Sequence, residues 1–334
     1  MKNILLLIIL AVCFYNCSDS ESDTILAPDE SVFNWIVDEN KITGSLNPFP
    51  LALNPVMSRV KDVDFISDAS NVAVVSLGHE IRVYPYQFIS RFESVNDHMN
   101  GVAYAMTYCP ITKSGIVADG KFKNQDFRLR ASGYLFNDNL VLLDEESDTY
   151  WSQMSVKCIK GINAGEPLAT YNLVEMPWKL VKENFQDALV FTNSSITAKS
   201  AGLAKKEPVE VGDLVYGVIN FGFKPASEVA VFEYEDFSGG TVLKNIDKYK
   251  IVVIGNEELR FVSSYINDSN AVFKAVQGQF PIVMEDDDTN RWNVFGLAVS
   301  GPRKGQQLKS PTSFMALWWA WNEFYDDFVF DESS

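Results

Sequence analysis

The sequence predicts an α+β, β-rich fold in two homologous lobes, the product of an internal duplication of roughly 140 residues. Three observations predict it. Hydrophobicity alternates with a period of two in runs such as Val102–Cys109 and Asn139–Asp144, as half-buried strands require. Turn pairs punctuate these runs at Asn100-Gly101, Ser114-Gly115, Asp119-Gly120, Gly239-Gly240 and Gly255-Asn256. Finally, four landmarks recur in one order at nearly one spacing: Pro85 with Pro225, Trp151 with Trp292, Gly161-x3-Gly165 with Gly301-x3-Gly305, and Phe185-x5-Phe191 with Phe324-x5-Phe330.

Taken in chain order, residues 1–16 carry Lys2 and then an apolar run too short for a comfortable bilayer span, the pattern of a signal peptide. Cys17 follows, then the acidic stretch Ser18-Asp19-Ser20-Glu21-Ser22-Asp23, which marks Cys17 as a lipidated first residue of the mature chain. Residues 17–45 read as a tether with a short amphipathic piece at 33–37. The first repeat lobe is expected over 46–195 and the second over 196–330. Helices are expected only at the lobe ends, over 178–185 and 314–325, where aromatic and aliphatic residues share one face. A parallel βαβ sheet would need longer helices between strands.

Composition narrows the function. With 28 Lys+Arg against 44 Asp+Glu the net charge is −16, which disfavours a nucleic-acid partner. Four Cys and two His leave little material for zinc ribbons or His-based metal cages. Gly-rich phosphate loops, the Gly-x-Ser-x-Gly elbow and the His-Glu-x-x-His helix are all absent from the chain.

The distinctive segments are Glu93-Ser-Val-Asn96-Asp97, Tyr108-Cys109-Pro110, Ser132-Gly133 with Asn139, and Asp144 leading through Ser147 and Thr149 to Trp151-Ser-Gln153. Together they resemble the bacterial family catalogued as domain of unknown function 3179. The resemblance runs from about Val74 to Phe330 and implies a shared site without implying an activity. The family's first motif reads His-Glu-x-Val-Asn-Asp, and Phe92 stands here where its His would.

Each residue admits a functional and a structural reading. Cys109 ends a strand before Pro110, so its thiol is expected at the mouth of a sheet. There it would serve as a nucleophile or metal-binding thiolate aided by Arg128, Arg130 or His98, as a small buried hydrophobe, or as a disulfide partner of Cys158. Asn96 and Asp97 are expected to close a turn or to touch a ligand. The acidic loops at 144–148 and 285–288 read as solvated turns, with Ca²⁺ as the oxygen-ligand alternative; no other cofactor is expected. Trp151 is read as a core anchor or, with Gln153, as a stacking wall for a sugar or peptide, and Ser132 belongs to the same motif set.

The expected whole is an exported, lipid-anchored envelope protein, placed at the outer membrane, that binds a small molecule, glycan or envelope protein without turnover. The rival expectation is a thiol-dependent enzyme with Cys109 as nucleophile.

Overall fold

The structure, a computed structural model, describes residues 34–193, 213–219 and 228–329. Cys17, the signal-peptide segment and Pro225 lie outside the described residues. No helix among the described residues is long and apolar enough to cross a membrane.

The chain is β-rich, and its principal sheets fall into two sets. In the first half, Asn71–Leu77 lies between antiparallel neighbours Val174–Pro177 and Glu80–Pro85, and Leu189–Asn193 joins Glu80–Pro85 in parallel. In the second half, Leu214–Ile219 lies between antiparallel Thr312–Leu317 and Glu228–Phe232, and Asp327–Val329 joins Glu228–Phe232 in parallel. Next comes an antiparallel triplet in each half, Ser94–Met99 with Val102–Cys109 and Ser114–Asp119, and Val242–Ile246 with Ile251–Asn256 and Phe261–Ile266. A third antiparallel sheet, Arg130–Phe136 to Lys157–Lys160, has its counterpart in Lys274–Ala275 to Ala298–Ser300. The strand order and pairing sense of all three recur.

Several local expectations change. Residues 96 and 97 lie within the strand Ser94–Met99, paired with Ala105 and Tyr104, rather than in a turn. Gly115 and Gly255 are strand residues. Each is needed because a side chain there would strike a ring, Tyr86 and Phe237 respectively. Residues 314–317 complete the strand Thr312–Leu317, and the helix is only Trp318–Phe324; its counterpart Trp178–Asn184 matches expectation. The stretch read as tether already belongs to the fold at Ile42–Gly44, which pairs with the strand Arg130–Phe136. Asn100-Gly101 turns as expected, both residues having positive φ.

Two of the cores cross between the halves, while each half also has one of its own. Val72, Val74, Val174 and Trp178 of the first half share one core with Ile254, Phe261, Trp292 and Phe295 of the second. Reciprocally, Cys109, Leu140 and Trp151 share another with Val215, Phe314 and Trp321. A backbone hydrogen bond from Leu317 to the Thr112 carbonyl (2.9 Å) fastens the halves where these layers meet.

Candidate functional site

The motif residues converge, but on one another. Asn139 donates to Thr112 (2.9 Å), Ser114 (3.1 Å) and Gln153 Oε1 (3.0 Å), and its own carbonyl oxygen takes the Met154 amide (3.0 Å). Gln153 donates through Nε2 to Thr107 (2.9 Å), and Ser114 donates to Gln153 Oε1 (2.7 Å). All five of these polar side chains are buried. A buried amide whose donors and acceptors are filled by protein stabilises a core and offers nothing to a ligand.

The same holds along the strand Ser94–Met99. Asn96 clamps the Leu129 backbone in both directions, accepting its N–H (3.0 Å) and donating to its carbonyl (2.8 Å). Asp97 takes a bidentate pair from Arg82 Nη1 (2.8 and 3.0 Å) and the Tyr84 hydroxyl (2.6 Å). A cavity of about 260 Å³ opens beside these residues, also bordered by His98 and Arg128, but the carboxylate and amide are already engaged. Ser132 donates to the Val141 carbonyl (2.7 Å) and accepts the Tyr134 amide (3.1 Å), holding the irregular register between Arg130–Phe136 and Asn139–Asp144.

The acidic loops are built alike. Ser147 donates to Asp144 (2.5 Å) and shares a hydrogen bond with Thr149, which accepts the Trp151 indole N–H (2.9 Å). In the second half, Asp286 accepts from the Asn290 side chain and directly from the Trp292 indole (3.1 Å). Trp151 and Trp292 are therefore core anchors whose polar edges staple the preceding turn. Among the described residues, no group of three or more His, Cys, Asp or Glu is placed to hold a metal ion.

Cys109 sits inside the core, not at a sheet mouth, in a cluster to which the second half contributes Val215, Phe314 and Trp321. Burial pushes its thiol up. The Thr112 hydroxyl and the backbone amides of Ile111 and Thr112 pull the other way, Glu93 adds to the rise, and burial prevails. None of the cations expected to activate it does so: Arg130 pairs with Glu145 (2.7 Å), Arg128 with Glu146 (3.8 Å), and His98 is exposed. Cys158, also buried, is pushed up to about 11 by burial, and both thiols are free rather than disulfide-bonded. Phe92 packs edge-on against Phe191 in the core (6.1 Å).

Polar groups with open valences converge elsewhere, in a cavity of about 270 Å³ between the halves, lined by Asn71, Tyr86, Tyr108, Glu175 and Arg260 among others. Six buried side-chain polar atoms among the described residues lack a hydrogen-bond partner, and three belong to this lining: Glu175 Oε1, the Tyr86 hydroxyl and Arg260 Nε. Such atoms are costly and rare, so three together point to a ligand or ordered water. Glu175 is 4% exposed, and Asn71 donates to its other oxygen (2.6 Å). Burial raises its carboxyl to about 8, against the nearby Tyr86 hydroxyl, Asn71 and Arg260, which favour the ionised form. Tyr86 lies flat on Tyr108, ring centres 4.0 Å apart.

Topology puts these groups there. Tyr86 begins the short helix after Glu80–Pro85, as Tyr234 begins the one after Glu228–Phe232. Lys113 and Arg260 end corresponding hairpin turns, both with positive φ, and both line the cavity. Glu175 points into it from the strand Val174–Pro177. Sequence reading missed this set because its members are far apart in the chain; the one local signal was an acid flanked by Val174 and Met176.

Fold and site define a β-rich protein whose signature residues build the scaffold and whose unsatisfied polar groups gather between its two halves. The chain belongs to the family described as Protein of unknown function (DUF3179), whose model it matches over residues 47–328. No curated protein and no solved structure matches it.

Proposed function

We propose that this protein is an exported, lipid-anchored envelope protein that binds a small molecule in the cavity between its halves and carries out no turnover. The observation that carries the binding reading is the convergence of three orphaned polar atoms, on Glu175, Tyr86 and Arg260, in one cavity. The short apolar leader, Cys17 and the acidic stretch after it support export and anchoring, with residues 1–16 removed, at the outer membrane. The recurring strand order supports an origin by duplication into lobes at 46–195 and 196–330. Thiol catalysis draws no support from Cys109, which is buried and shifted away from the thiolate.

The test compares the wild-type chain with Cys109→Ser and Glu175→Gln in a thermal-shift screen of small metabolites and in thioester and disulfide turnover assays. Binding hits shared by wild type and Cys109→Ser but lost in Glu175→Gln are expected. Turnover abolished by Cys109→Ser would overturn the reading.

A further inference from the structure

We propose that the cavity between the halves binds a free α-amino acid, its ammonium group taken by Glu175 and its carboxylate by Arg260. This rests on the cavity being the binding site. The cavity sets the acid Glu175 against two cations, Arg260 and Lys113, and an ammonium entering beside Glu175 would displace the carboxyl proton that burial holds there, releasing it to solvent. Glu175 and Arg260 feel each other's field, yet among the described residues no ion pair forms between them. Among the described residues the Arg260 side chain makes no hydrogen bond or ion pair; its guanidinium lies over the Tyr234 ring (5.8 Å), which fixes its position while leaving its donors unused. Asn71 holds one oxygen of Glu175 (2.6 Å), and the other faces the Tyr86 hydroxyl without a well-formed hydrogen bond.

A ligand of one sign would repair only one side. An amine alone leaves the arginine edge unpaired, and an anion alone brings no donor to the Glu175 oxygen that faces Tyr86. A small zwitterion satisfies both, with the Tyr86 hydroxyl beside the ammonium and the stacked Tyr86 and Tyr108 rings supplying an apolar wall. Size agrees: about 270 Å³ lies just under the ~300–1,000 Å³ of pockets for larger ligands, which suits one amino acid.

Isothermal titration of the full-length chain with free L-amino acids tests this, with their N-acetyl and carboxamide derivatives and with monosaccharides as comparators. At least one free amino acid is expected to bind saturably, and blocking either terminus is expected to weaken it by about tenfold or more, as losing one charge-assisted contact does. Glu175→Gln and Arg260→Met are expected to weaken it similarly while circular dichroism stays that of wild type; should either variant misfold, the blocked ligands on wild type still decide. Blocked derivatives binding as well as the free amino acid, or no amino acid binding at all, would overturn the proposal. A monosaccharide or simple amine that binds wild type but not Glu175→Gln would overturn the ligand class while keeping the cavity as the site. Binding of any kind unaffected by both substitutions would overturn the cavity as well.

Discussion

Glu175 and Gln153 are both buried polar residues, and they differ in whether their partners come from the protein. Gln153 is satisfied on both ends by Thr107, Ser114 and Asn139, so Gln153→Ala is expected to orphan these groups and cost about 2–3 kcal/mol, read from the urea midpoint, without altering ligand affinity. Glu175 predicts a pH effect. Its native carboxyl titrates near 8, against about 4.3 for an unfolded glutamate, so between those values the native state holds a proton that the unfolded state has lost. Its stabilisation is complete below the lower value and is lost as pH rises through the upper. The facing Tyr86, Tyr108, Tyr216 and Tyr234 are all raised further from ionisation, so none cancels this trend. Glu93, raised to about 7 by burial, acts in the same direction. Wild-type stability should therefore fall between pH 5 and pH 8, and Glu175→Gln should flatten that fall, leaving the share due to Glu93.

At the scale of elements, the strands were legible because their alternation is a direct consequence of one-sided burial. Val102–Cys109 and Asn139–Asp144 fall where the pattern puts them. The glycines misled because a glycine in a strand and a glycine in a turn look alike in sequence; Gly115 and Gly255 are there for the rings across from them. Gly217, in the centre of the strand Leu214–Ile219, belongs to the same kind, since a side chain there would overlap the Trp321 indole. Gly217→Ala is thus expected to lower stability by about 1–3 kcal/mol through overpacking, measured as a lower melting midpoint with an altered near-ultraviolet Trp signal. The motifs were legible as a cluster and illegible as a scaffold, because only the folded arrangement of Asn139, Gln153 and Ser114 reveals that they satisfy one another. The correspondence of Lys113 with Arg260 was hidden for another reason: it follows hairpin topology, not the constant spacing shared by Trp151 and Trp292.

For the whole molecule, each half keeps a core of its own, and two further cores are shared between them. Trp178 belongs to a core shared with Trp292 and Phe295, and Trp321 to one shared with Leu140 and Trp151. Unfolding of the full chain should consequently be one cooperative transition, with Trp fluorescence and far-ultraviolet circular dichroism coinciding in urea; two resolved transitions would show independent lobes. The cavity exists only where the halves meet, with Glu175 and Tyr86 from one and Arg260 from the other, so binding and folding of the pair are inseparable. This account places the family's Tyr-Cys-Pro signature in the scaffold and the working surface between the halves. The most direct test is the alkylation rate of Cys109 in the native full-length chain from pH 6 to pH 9, with and without reductant and urea. The account predicts that both Cys109 and Cys158 stay protected at every pH, that reductant changes nothing, and that modification begins only as urea unfolds the chain. Rapid native alkylation of Cys109 below pH 8 would contradict it and return the thiol to the centre of the function.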